Sequence, residues 1–141
     1  MINKILHISD THGCHHRLYD LPDADILVHS GDFTMNGSEQ EVIDFLNWFC
    51  DLDYRHKIFI CGNHDNCLYE ANIDGLDANV HYLCNSGIEL NEDLLLIYER
   101  KVLPNHNGYC RHNLGCHMQE YVLSIHPYQS VFVHNFDFDV L

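Results

Sequence analysis

Basic residues are scarce in this chain. Seven Lys and Arg stand against 21 Asp and Glu in 141 residues, a formal charge of −14. General nucleic-acid binding needs cationic side chains to displace counterions from phosphates, so that class of partner is excluded. An anionic substrate is not excluded, because bound divalent cations invert a local field. No apolar run approaches the roughly 20 residues of a membrane-spanning helix, which excludes that mode of membrane insertion. The N-terminal apolar stretch, Ile5-Leu6 and Ile8, reaches Asp10 at once. It is too short for a secretory signal, so a cytoplasmic location is expected. Paired CxxC spacing is missing as well. The seven cysteines are scattered and odd in number, so reduced thiols are expected, with Cys50 and Cys61 as small core residues among apolar neighbours. No repeat, low-complexity tract or linker interrupts the chain, and a single domain over 1–141 is expected.

Apolar residues make up 46% of the chain, enough for a core, and they fall into short runs. Residues 4–10 (KILHISD), 24–30 (ADILVHS) and 56–61 (HKIFIC) read as buried strands that end in polar clusters. The clearest helix lies over 38–53. Ser38 and Glu41 have capping-box spacing, and Val42, Phe45, Leu46 and Phe49 form one apolar face. Further strands are expected at 80–84, 88–90, 94–98 and 130–133. A second amphipathic helix is expected around Met118, Tyr121, Val122 and Ile125, with loop over 104–114. Strand, loop, strand, helix, strand is the order of an α/β fold. In such sheets ligands sit beyond the carboxyl ends of the strands.

The chemistry-bearing residues cluster at those ends. Asp10 and His12 are two apart, and on an extended backbone they would point to one side, so both could reach one metal ion. Asp32 closes the second strand and Asn63 the third. A carboxylate shared between two cations is the usual way to hold them about 3.5–4 Å apart, and Asp32 is the candidate bridge. Oxygen and nitrogen ligands without thiolate suit Mn, Fe, Zn or similar divalent ions.

The runs Asp10-Thr11-His12, Gly31-Asp32 and Gly62-Asn63-His64-Asp65 resemble the first three motifs of the calcineurin-like metallophosphoesterases. The wider segments ISDTHG, DILVHSGDFT and FICGNHD are similar to the small branch related to metallophosphoesterase-domain-containing proteins. The resemblance implies an α/β sandwich (αββα), here shortened in the middle. It implies a phosphoester hydrolase, with phosphodiesters among the candidate substrates, that uses two divalent cations and a bridging hydroxide as nucleophile. Asp10 and His12 would bind the first metal, Asp32 would bridge, and Asn63 would bind the second. His64 would protonate the leaving oxygen or stabilise phosphoryl charge, and Asp65 would orient His64. The expected partner is a small phosphoester substrate, with neither nucleic acid nor membrane.

The later part departs from the family pattern. A Gly-His-x-His run is expected on a late strand, and the chain reads Val133-His134-Asn135-Phe136. His134 takes the first histidine position as a metal ligand, but phenylalanine cannot ligate. No histidine follows the strand beginning at Leu94, where Glu99 and His106 are the candidate substitutes. Loss of two imidazoles implies weakly held metal and weak or absent turnover. The alternative is therefore a degenerate, non-catalytic member that binds metal, nucleotide or a protein partner.

Other features have plainer readings. His29 is expected as a packed residue behind the site. His15, His16 and Arg17 read as a solvated loop patch that could also contact a phosphate. Cys110, His112, Cys116 and His117 do not match zinc-finger spacing.

Overall fold

The computed structural model describes residues 4–91, 94–102, 119–126 and 131–133, with side chains described over 4–90. In chain order the elements are β1 (Ile5–Ile8), β2 (Ile26–His29), α1 (Glu39–Asp51), β3 (His56–Ile60), β4 (Val80–Leu83), β5 (Ser86–Asn91), β6 (Leu94–Val102), β7 (Gln119–His126) and β8 (Val131–Val133). Short 3-10 turns occupy His15–Arg17 and Asn66–Leu68.

Five strands form a parallel sheet in the order β4-β3-β2-β1-β8, and β5-β6-β7 form an antiparallel sheet. The parallel strands are apolar on both sides, as a sheet covered on both faces requires. Leu6, Ile8, Leu27 and Phe59 pack on the α1 side with Val42, Phe45 and Phe49. Ile5, Ile26, Val28, Ile58, Ile60 and Leu83 form the core of the other face, where Ile88 and Leu90 of β5 pack against them. Among the described residues the layers are thus helix, parallel sheet, antiparallel sheet.

The α1 capping box forms as expected. The Ser38 hydroxyl accepts from the Glu41 N–H at 3.3 Å, and a Glu41 carboxylate oxygen accepts from the Ser38 N–H at 3.0 Å. Lys57 reaches from β3 to the other end of the helix. Buried at 2% exposure, its ammonium donates to the carbonyls of Cys50 and Leu52, placing positive charge at the negative end of the dipole.

Two expectations about elements are overturned. The segment around Tyr121, Val122 and Ile125 is β7, not a helix. Tyr121, Leu123 and Ile125 also alternate at the strand period, and pairing to β6 from Leu95↔His126 through Val102↔Gln119 decides the matter. The strand expected over 94–98 continues to Val102, so Glu99 is a mid-strand residue paired with Val122. Cys61 is buried and Cys50 partly buried beside the α1-side core, neither in a disulfide. The 104–114 loop, Cys110, His112, Cys116 and His117 lie outside the described residues, as do His106, His134 and Phe136.

Candidate metal centre

The loops after β1 and β2 are fastened backbone to backbone. The N–H groups of Asp10, His12 and Gly13 donate to the carbonyls of Gly31, Asp32 and Phe33 at 3.0, 3.0 and 2.8 Å. The pairing holds a strained conformation. Asp10, His12 and Asp32 all adopt positive φ, at 55°, 40° and 56°. Such backbone costs about 1 kcal/mol or more per non-glycine residue and persists only where surroundings over-determine it, most often at functional sites. The convergence of Asp10 and His12 therefore does not come from strand pleat, as their two-residue spacing suggests. Both lie beyond Ile8, in a turn that folds their side chains together.

Ligand-type atoms of Asp10, His12 and Asp32 lie within 4.8 Å of one another. The His12 side chain is 21% exposed and that of Asp10 52%, so the group opens to solvent on one side. His12 Nδ1 stands 3.1 Å from the Thr34 carbonyl. A carbonyl can only accept, so Nδ1 carries a proton, and in the neutral ring Nε2 is the nitrogen with the lone pair. That lone pair lies 3.8 Å from Asp10 Oδ1. This is the tautomer that ligates a metal, fixed by its neighbour in the usual way.

The third loop is pressed against the second. A Cβ on Gly62 would come within 2.0 Å of Asp32 Oδ1, and one on Gly31 within 2.6 Å of the Gly62 nitrogen. Only glycine at both positions permits this approach. Asn63 is exposed and lies between two residues that touch Asp32: Gly62 underneath, and His64, whose N–H donates to Asp32 Oδ1 at 2.9 Å.

Asp65 has a different partner set from the one expected. Fully buried, its carboxylate accepts from the N–H groups of Asp32 (2.8 Å), Thr34 (2.9 Å), Gly62 (2.8 Å) and, more weakly, Phe33 (3.4 Å). The Thr34 hydroxyl, 2.9 Å from both Asp65 Oδ1 and the His64 carbonyl, shares its proton between them. Asp65 thus fastens the Asp32 loop to the Gly62 loop. Burial pushes its pKa up, against the hydrogen bonds from Gly62 and Thr34, which pull it down. The His64 ring is held instead by Nδ1 donating to the Met35 carbonyl at 2.9 Å, and it meets the His12 ring edge-on at 4.7 Å.

Thr34 is the residue that motif reading passes over. It lies two positions after Asp32 in the run GDFT, and it touches His12, His64 and Asp65 together. His29 is packed as expected. Its Nδ1 accepts from the Gly31 N–H at 3.2 Å, so Nε2 carries the proton toward the Thr11 hydroxyl at 3.0 Å. The expected solvated patch holds only in part: His16 is exposed, but His15 is buried at 1%. β8 ends at Val133, immediately before His134 in sequence. A groove at the β4 edge, lined by residues such as Ile73, Leu76, Tyr82 and Ile88, contains none of the site residues.

Parallel sheet and helix, with two carboxylates and a histidine whose ligand-type atoms could hold a metal ion beyond the strand ends, define an α/β fold with a candidate metal site. The chain belongs to the calcineurin-like phosphoesterase family, whose family model matches residues 3–140. It is 43% identical over 58 residues to human metallophosphoesterase domain-containing protein 1, covering 41% of this chain and 18% of that protein. It is 37% identical over 100 residues to a UPF0046 protein of Caenorhabditis elegans, covering 58% of this chain and 36% of the relative. The chain therefore spans well under two thirds of the length of these relatives. No helix among the described residues is long and apolar enough to cross a membrane.

Proposed function

We propose that this chain hydrolyses a small phosphoester at a dinuclear divalent metal centre beyond the carboxyl ends of β1, β2 and β3. One observation carries the reading: Asp10, His12 and Asp32 bring ligand atoms within 4.8 Å of one another, with His12 locked in the ligating tautomer. Asp10 and His12 would hold the first cation, Asp32 would be shared, and Asn63 would offer its side-chain oxygen to the second, with His134 as a further ligand. The donor set fits Mn, Fe or Zn. When bound, such ions stabilise phosphoryl charge and supply an activated water.

The chain's own groups would do the rest. Asp32 Oδ1 is oriented by the His64 N–H, which fixes the carboxylate plane. With His64 Nδ1 committed to Met35, Nε2 is the atom left for a substrate oxygen, as proton donor or charge stabiliser. Asp65 and Thr34 position both loops without touching substrate. The test is hydrolysis of a bis-aryl chromogenic phosphate with added Mn. Asp32→Asn is expected to lower the rate at least a hundredfold, and equal rates for the two proteins would remove the enzyme reading.

A second reading, weak metal retention with little or no turnover, is favoured by Val133 and Phe136 standing where the family pattern has glycine and histidine. Dialysis against a chelator is then expected to strip the protein. Retention of two equivalents would count against this reading.

A further inference from the structure

A second constellation lies on the loop that follows the first. The 3-10 turn His15–Arg17 sits against α1. His15 Nε2 lies 3.0 Å from Asp44 Oδ2, and His16 Nε2 lies 3.1 Å from the same oxygen and 3.2 Å from Oδ1. Ligand atoms of all three residues fall within 4.8 Å of one another. The edges of a tetrahedron with bonds near 2.05 Å are about 3.3 Å, close to the separations of the two imidazole nitrogens from the Asp44 carboxylate.

His15 carries the argument. Its ring is 1% exposed and is held by Phe45, edge-on at 5.6 Å, and by Trp48 at 5.1 Å. Yet neither ring nitrogen has a hydrogen-bond partner among the described residues. The approach to Asp44 has the distance of an ion pair but not the geometry of a hydrogen bond. Buried polar atoms are nearly always partnered, and an orphaned imidazole aimed at a carboxylate and a second imidazole calls for an explanation. Burial, and then His16, push the His15 pKa down against the pull of Asp44. That favours the neutral ring, the form that binds metal.

We propose that His15, His16 and Asp44 form a site for one borderline divalent transition cation of the zinc class, separate from the Asp10–His12–Asp32 group. Two imidazoles and one carboxylate disfavour magnesium and calcium, which take oxygen donors, and leave room for water to complete the shell. The ion ties the loop bearing Asp10 and His12 to α1, so its effect is to fix that loop against the helix.

The test is zinc titration of the full chain, stripped by chelator and carrying Asp10→Asn and Asp32→Asn to silence the first site. A competing chromogenic chelator reads the affinity. One equivalent is expected to bind and to raise the thermal midpoint. Adding His16→Ala or Asp44→Asn, both at exposed side chains, is expected to weaken binding at least tenfold and abolish the thermal shift, with circular dichroism unchanged. Absence of the equivalent, or affinity that changes less than tenfold in both variants, overturns the proposal. The same His16→Ala step in the otherwise unmodified chain should remove one equivalent, and failure to do so overturns it as well.

Discussion

At the scale of single residues, the candidate centre depends on groups that never reach a ligand. Asp65 supplies an anion to N–H groups from two loops, and those loops carry Asp32, Asn63 and His64. Asp65→Asn keeps the shape but turns a donor toward those N–H groups. It is expected to destabilise the fold by about 2–4 kcal/mol, read as a lowered urea midpoint. An unchanged midpoint would show that the carboxylate is not what joins the loops. Gly62→Ala would force a Cβ into Asp32, with contacts of 2.0 and 2.4 Å to its Oδ1 and nitrogen. A cost of roughly 1–3 kcal/mol is expected, together with a Mn affinity at least tenfold weaker, since Asp32 must move. Calorimetry of metal binding by the purified variant checks this.

At the scale of elements, the turn leading into α1 links helix capping to the site. The Glu41 carboxylate accepts from the N–H groups of Met35, Asn36 and Ser38, and the Met35 carbonyl holds the His64 ring. Desolvation raises the Glu41 pKa, but the hydrogen bonds from Ser38, Met35 and Asn36 outweigh it and bring it down to about 2. A folded pKa below the unfolded value contributes stability that is complete above the unfolded value, about 4.5, and lost as pH falls toward 2. Glu41→Gln is therefore expected to cost about 1 kcal/mol at neutral pH and to lose that difference from wild type in strong acid. Thermal midpoints of both proteins between pH 2 and pH 7 measure it.

The same elements mark what the sequence makes legible. The strands before Asp10, Asp32 and Asn63 could be read because apolar runs stop abruptly at polar residues, and the α1 cap because its spacing is local. β7 was hidden because Tyr121, Val122 and Ile125 satisfy a helical stripe, while Tyr121, Leu123 and Ile125 satisfy strand alternation. Only pairing with a distant β6 separates the two. The left-handed backbone at Asp10 and His12, the four donors that residues 32–34 give to Asp65 and the burial of His15 all arise from contacts between segments far apart in sequence, so local pattern could not foresee them.

At the scale of the whole molecule, a fold with a charge of −14 gathers Asp10, Asp32 and Asp65 at one end of a sheet whose described strands are packed on both faces, where cations can offset them. The interior behind that end holds His29, whose pKa is lowered to about 3 by burial first and then by His7, His15 and His12. The unfolded chain binds this proton near pH 6.5 and the folded chain does not, so between pH 6.5 and about 3 the unfolded state holds more protons. The stability involved is present in full above pH 6.5 and is lost as pH falls through that window. A urea midpoint that declines from pH 7 to pH 4, with a shallower decline in His29→Gln, is the expected outcome.

Whether the three loops make a metal centre can be asked without a substrate. Chelator-stripped protein is titrated with Mn, and free ion is followed by electron paramagnetic resonance for wild type and Asp32→Asn. Saturable binding by wild type, weakened at least tenfold in Asp32→Asn, is predicted. Superimposable isotherms for the two proteins would contradict a centre built on Asp10, His12 and Asp32.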